Sequence, residues 1–365
     1  MPDCAGAAKI KGRAKVKWEV GDDRTGWQRK RHADSLRFGC LDGGIVSAVT
    51  GPSAAPPYPV ERSSPPGEVV VVGVNARQIF RHSPARLEQL AIALRKRPKT
   101  SEDSYLAPDV ILVNEVSASD LAVVRNHMND LFSLNVYIIV GERTDEVKTK
   151  VLINAKTMSV ISYRSWADSC VPDVRYQLVN VRERSSGTLV TVGGVHFRAD
   201  YRGSGGRDCR NQNVDKARER LGRQGARGIL LGDFNRRAMN KQRECDPEEA
   251  SRVEPWYQDM TSFSSVDGRS YLDAVREYNR ANNLTMFDEW THEQDDPSTL
   301  CTGETGLRRN RIDYVFVDDT LNVVEAHADH PGWASATQPG VIRCSPAPQC
   351  KYSDHRFIWA RVGLT

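Results

Sequence analysis

Six apolar runs in this chain end in, or start from, a residue able to bind a cation or carry a proton. EVVVVGVN ends at Asn75, and VILVNE ends at Glu115. TLVTVGGVH ends at His196, and GILLGD ends at Asp233 with Asn235 two residues on. RIDYVF sets Asp313 inside an apolar run, and YSDH puts Asp354 and His355 just ahead of the last one. Taken singly these residues say little. Asparagine forms turns, and Asp-Phe-Asn reads as a tight turn. A histidine is often satisfied within a core, and Asp313 has a ready ion-pair candidate in Arg311. Glu115 is different, because a carboxylate at the end of a buried run is costly unless paired or bound to metal. A set made only of acids, amides and imidazoles is chemically coherent.

That set suits one kind of reaction. Mg²⁺ takes oxygen ligands from one or two carboxylates and keeps several waters. Glu115 fits the main ligand, with Asn75, Asp233, Asn235 or Asp354 completing the shell; Mn²⁺ is the alternative ion. A phosphodiester resists attack because it is anionic, and a divalent ion neutralises that charge and makes a bound water more acidic. A histidine held by a carboxylate, as in a His355–Asp313 pair, can move a proton near neutral pH.

Such residues need rigid elements to hold them. EVVVVGVNA and DVILVNEV are continuous apolar, β-branched runs, which predict buried strands. Between them Ser83-Pro84 opens a helix with an apolar stripe at Leu87, Leu90, Ala91 and Leu94. Ser119 is a candidate cap for a second helix, carrying Leu121, Val124, Met128 and Leu131. YIIVGER, KVLINAKTMSVISY, YQLVNVRER, TLVTVGGVHF and GILLGDFN all read as strands. RNQNVDKARERLGRQ and SYLDAVREYNRANN read as helices, and RIDYVFVDD and HRFIWARV as closing strands. The pattern predicts two packed sheets flanked by helices. There is no internal repeat and no GxGxxG or Walker A motif.

In order, NEV, HF, GDFN, RIDYVF and SDH resemble the endonuclease/exonuclease/phosphatase superfamily, the deoxyribonuclease I-like phosphohydrolases, over roughly residues 69–362. GDFN followed by RIDY and then SDH is the specific part of the match. The resemblance implies an α/β fold: a four-layer α/β/β/α sandwich of two mostly antiparallel sheets. It implies a metal site at Asn75, Glu115 and Asp354, with Glu115 the principal ligand. His196 matches a histidine that the deoxyribonuclease branch uses on the phosphate side. Asp233 and Asn235 would orient the attacking water and the scissile phosphate, and Asp313 would buttress His355. Members commonly carry glutamine where this chain has Asn114.

The segment from Arg198 to Arg227 is rich in arginine, and the glycines of YRGSGGR predict a mobile start. Arginine grips phosphate bidentately, so Arg198, Arg202, Arg207 and Arg210 are the expected phosphate ligands. With these arginines and a net charge of +4, nucleic acid is the expected substrate, cut as by a DNA endonuclease. The alternatives are a phosphatase or a phosphodiesterase acting on phospholipid or inositol phosphate, and then an inactive binding module on the same fold. The aromatics Trp256, Tyr257, Phe263 and Tyr271 are expected in the core.

The breaker-rich tract GPSAAPPYPVERSSPPG sets a domain boundary at Gly67. Residues 1–67 are expected to form a basic, partly disordered extension, and residues 68–365 the catalytic domain. No run reaches the roughly 18 apolar residues of a membrane span. The lysine-bearing N-terminus as written has no apolar core of signal-peptide length, so the compartment is left open, with the cytoplasm the default and secretion the alternative should the start be misassigned. Eight cysteines, none in a CxxC pair, leave disulfides and free thiols equally open, with Cys344 and Cys350 placed to close a small loop.

Overall fold

The computed structural model describes residues 61–76, 84–95, 105–131, 136–144, 147–198, 204–223, 227–238, 253–265, 267–286, 289–295, 307–329 and 355–364. The basic stretch ahead of residue 61 and the Cys344–Cys350 loop lie outside them. Two six-stranded sheets form the body. The first runs β15 (Asn322–Asp329), β16 (Phe357–Gly363), β2 (Glu68–Asn75), β4 (Val110–Asn114), β6 (Thr149–Asn154), β5 (Tyr137–Val140). The second runs β11 (Tyr271–Asp273), β14 (Asp313–Asp318), β10 (Arg227–Asp233), β9 (Leu189–His196), β8 (Arg175–Glu183), β7 (Met158–Ala167). Each sheet is antiparallel except at one central pair: β2 with β4, and β9 with β10. Parallel neighbours need a crossover. It is made by α1 (Pro84–Arg95) in the first sheet and by α3 (Ser204–Gly222) in the second.

The layers follow from which face of each strand is apolar. Val69, Val71, Val110, Leu112, Val190, Val192, Ile229, Leu231, Val315 and Val317 share one core between the sheets. The alternate residues of the first sheet, Val72, Val74, Ile111 and Val113, pack instead with α1 and with α2 (Ala118–Leu131). In the second sheet Leu230, Val195, Tyr314 and Phe316 pack against α3 and α4 (Pro255–Thr261). Burying a valine or leucine fully is worth about 1.5–3 kcal/mol. Two apolar faces per strand therefore favour helix, sheet, sheet, helix, the four layers expected. Trp256, Tyr257 and Tyr271 are buried in the outer cluster, whereas Phe263 is exposed.

Several local expectations shift. Ser117, not Ser119, caps α2: its Oγ accepts from the Asp120 backbone N–H at 3.1 Å. α3 begins at Ser204, so Gly205 and Gly206 are helical, while residues 201–203, the start of the expected mobile segment, lie outside the described residues. SYLDAVREYNRANN is part strand, β11, before α5 (Ala274–Ala281); Asp273 at the junction caps that helix. The paired structure also starts ahead of Gly67, because β1 (Glu61–Arg62) lies parallel to β3 (Tyr105–Leu106). A two-stranded ribbon, β12 (His292–Asp295) with β13 (Leu307–Asn310), completes the strands described. Cys170, in the turn after β7, is disulfide-bonded to Cys209 in α3. The other six cysteines lie outside the described residues.

Candidate active site

Each site-bearing strand continues its inter-sheet row by one or two more steps, and the residue at which the row ends is polar. After Val71 the row reaches Gly73 and then Asn75; after Leu112 it reaches Asn114. After Val192 come Gly194 and then His196, and after Leu231 comes Asp233. Asp313 precedes Val315 in the same parity. Side chains alternate along a strand, so these residues form a polar layer that closes one end of the apolar core. The ends meet in register: Asn75 pairs with Asn114 and Asp233 with His196, while across the antiparallel step Asp233 pairs with Asp313.

Glu115 lies one residue past this row. Its backbone has φ 54°, a left-handed conformation rare for a non-glycine residue. Such a conformation costs on the order of 1–3 kcal/mol and persists where the surroundings enforce it. Asn114 supplies one constraint: its Nδ2 donates across the sandwich to the Val195 carbonyl at 3.0 Å. Asn235 is left-handed too, at φ 50°. Its backbone N–H donates to Asp233 Oδ1 (2.6 Å) and its Nδ2 to the Phe197 carbonyl (2.6 Å). Gly232, at φ 136°, allows the close passage just before Asp233, since a Cβ there would strike the Val195 carbonyl.

The side chains converge. Asn75 Nδ2 donates to Glu115 Oε1 at 3.1 Å and to Asp233 Oδ2 at 2.9 Å. His196 Nε2 lies 3.4 Å from Glu115 Oε1 and 3.7 Å from Asp233 Oδ2. His355 Nδ1 is 2.8 Å from Asp313 Oδ2, which leaves its Nε2 4.0 Å from Asp233 Oδ2. Burial, and then the neighbouring Asp233 charge, push the Asp313 carboxyl above its usual range against the pull of His355. Asp233, Asp313 and His355 are near enough together to hold a metal ion. Glu115 differs in access: its side chain is 22% exposed, against 1% for Asp233.

Sequence reasoning missed Thr291. It is fully buried, and its Oγ1 accepts from the N–H groups of Ile312 and Asp313, both at 3.0 Å. Its carbonyl accepts from Arg356 N at 2.7 Å. Thr291 thus ties the start of β14 to the residue after His355. The His292 ring lies 4.8 Å from that of His355. A threonine among many gives no sequence signal for such a place. Arg311 does not pair with Asp313: it forms a buried pair with Asp273, Nη1 to Oδ2 at 2.8 Å.

The expected phosphate ligands separate. Arg198 is exposed two residues beyond His196. Arg210 is buried, 4% exposed, and donates to the backbone carbonyls of Phe234 and Arg198, so it belongs to the scaffold. Its acceptors are backbone carbonyls 12 and 24 residues away, which composition alone does not reveal. Arg202, Asp354 and the Arg207 side chain lie outside what is described.

Residues 74–355 match the profile of the endonuclease/exonuclease/phosphatase family. The chain belongs to that family. Its enzymes act on phosphoester bonds, and the buried Asp-Asp-His group fits their general use of divalent metals. Solved structures of similar fold include TDP2 from C. elegans, with TM-score 0.50 and 18% identity over 81% of this chain and 75% of that one. An endonuclease/exonuclease/phosphatase from Bacteroides vulgatus gives TM-score 0.51 and 12% identity over 82% and 99%. D. rerio TDP2 complexed with single strand DNA product gives 0.50 and 10% over 81% and 98%. Comparison with curated protein sequences finds no match. No described helix is long and apolar enough to cross a membrane.

Proposed function

We propose that this protein is a divalent-metal-dependent phosphodiesterase acting on nucleic acid. The observation that carries this is the single Asn75 amide bridging Glu115 and Asp233, with His196 against both and His355 beside them. Carboxylates gathered this closely repel one another unless a cation or proton is shared among them. Their oxygens are the hard donors that Mg²⁺ or Mn²⁺ takes. Glu115 is the ligand that an ion from solution would meet first, with Asn75 beside it; Asp354, the further ligand that the motif resemblance implies, lies outside the described residues. Asp313 lies behind His355 and already holds its Nδ1. When bound, the ion supplies neutralising charge for the phosphate and acidifies a water.

The chain's own groups do the rest. Asp313 fixes the His355 ring and favours the proton on Nδ1, with Nε2 on the Asp233 side, where it would take a proton or contact a phosphoryl oxygen. Asp233, with one oxygen held by Asn75 and the other by the Asn235 backbone, is oriented to accept a hydrogen bond from the attacking water. His196 Nε2 stands between Glu115 and Asp233, placed to donate to a phosphate oxygen or to the leaving group. Arg198, exposed two residues further on, adds a guanidinium at the exit of β9.

Two further points favour nucleic acid. Arg198 and the histidines offer donors to a polyanion, and D. rerio TDP2, of the same fold, is solved with a single strand DNA product. The test is to incubate the protein with plasmid DNA, RNA and a generic phosphodiester, with Mg²⁺ and with chelator. Metal-dependent nicking or RNA cleavage is expected. Release from the small ester alone would point to a phosphatase or lipid-type phosphodiesterase. No turnover of any kind would leave a binding module.

A further inference from the structure

Arg210 reaches out of the helix layer to two strand exits at once. Its Nε donates to the Phe234 carbonyl at 3.2 Å and its Nη2 to the Arg198 carbonyl at 3.1 Å. The first carbonyl follows Asp233 directly, and the second lies two residues past His196. The same exits are cross-linked by Phe197 N–H to the Asp233 carbonyl (2.8 Å) and by Asn235 Nδ2 to the Phe197 carbonyl (2.6 Å). Phe234 N–H then donates to the Ile312 carbonyl at 2.8 Å, next to Asp313. Backbone bonds therefore run in series behind His196, Asp233 and Asp313.

A guanidinium has donors fixed in one plane, so two bonds from different nitrogens set the separation of their acceptors. The base of this strut is also fixed. Cys209, the preceding residue, is bonded to Cys170. One turn on, Asn213 donates to Asp168 Oδ2 (2.8 Å) and accepts from Ser169 N–H (2.7 Å), and Lys216 donates to the Ala167 carbonyl (2.8 Å).

We propose that Arg210 is a positioning residue: its guanidinium holds the exits of β9 and β10 at a set spacing and so places His196 against Asp233. The proposal rests on reading these residues as a phosphodiesterase site. It differs from phosphate binding in what it controls. A strut alters the geometry of the chemical step, whereas a phosphate ligand alters substrate affinity.

Arg210→Met keeps the apolar stem and removes both donors. Loss of kcat by about tenfold or more is expected, because small displacements of reacting groups are costly. KM should stay within about twofold. Amide exchange at Phe197 and Asn235 should quicken while that of β6 is unchanged. Arg210→Lys, which reaches one carbonyl at a time, should lose less kcat than the methionine variant and serves alone if that variant does not fold. A raised KM with kcat retained would return Arg210 to substrate binding and overturn the proposal. So would unchanged kcat and exchange. If the wild-type protein cleaves no phosphodiester, the proposed function fails, and the exchange measurement alone decides the role of Arg210.

Discussion

His355 Nδ1 lies 2.8 Å from Asp313 Oδ2, although 42 residues separate the two in the chain. The pair exists because β14 starts, and β16 is entered, at the same end of the two sheets. His355→Ala is expected to lower kcat by roughly a hundred- to ten-thousand-fold, the range of general acid–base contributions. Asp313→Asn should cost less, because the amide oxygen can still accept from Nδ1–H. Steady-state kinetics on a small phosphodiester reads both. Equal activity in wild type and His355→Ala would remove His355 from the mechanism.

Glu115→Gln removes a charge and keeps an oxygen for the Asn75 amide. The fold should therefore survive, and the melting temperature without metal should stay close to wild type. A ligand that binds only the folded state raises its stability, so Mg²⁺ or Mn²⁺ should raise the melting temperature of the wild type and not of the variant. Thermal scans across a metal titration provide the check. An equal shift in both proteins would place the ion elsewhere, with the Asp233–Asp313–His355 group the next candidate.

Arg311 and Asp273 form a buried pair that Tyr257 joins through its hydroxyl, 3.0 Å from Asp273 Oδ2. Burial works against the Asp273 charge, but the attraction of Arg311 wins and holds its carboxyl below the usual range. Arg311→Met would leave that carboxylate buried without its main partner, at a cost of about 3–5 kcal/mol. Denaturant unfolding measures this. A loss well below about 1 kcal/mol would mean that solvent or another cation reaches Asp273.

Asp109 carries a pH dependence of its own. Its carboxylate accepts from Val70 N–H at 2.7 Å and from the Thr157 hydroxyl. Burial nevertheless raises its pKa from 3.8 to about 6. The folded state thus keeps a proton that the unfolded chain releases. The stabilising contribution is complete below pH 3.8 and is lost as pH rises through about 6. Asp109→Asn keeps an acceptor for Val70 and cannot titrate. Relative to this variant, the wild type should lose about 2 kcal/mol between pH 4 and 7. Parallel stability profiles for the two proteins would rule the assignment out.

Much of this site could be read from the chain because its residues end apolar runs. Asn75, His196 and Asp233 each sit where such a run stops. What could not be read was the alternation behind them. Strands such as β2 and β10 are apolar on both faces, so the two-residue period is hidden in the sequence. It emerges once Val69 and Val71 are seen facing the second sheet and Val72 and Val74 facing the helices. The strand and helix order was legible for the same reason, while boundaries set by single hydrogen bonds, as at Ser117 and Asp273, were not. Arg210, Thr291 and Asn114 act through contacts with distant backbone carbonyls or N–H groups, and such partners leave no mark at the residue itself. Neither could cysteine spacing select Cys170 and Cys209 from eight candidates.

That bridge joins residues 39 apart, and the segment it encloses carries all of β8 and β9 with His196. In the denatured chain this stretch can never extend fully, which lowers the entropy gained on melting. For a loop of this size the effect is about 4 kcal/mol by chain-entropy reasoning. A dithiol reductant should then lower the melting temperature of the wild type and leave a Cys170→Ser/Cys209→Ser double variant unchanged, so the heat tolerance of this protein would vary with the thiol balance of its surroundings.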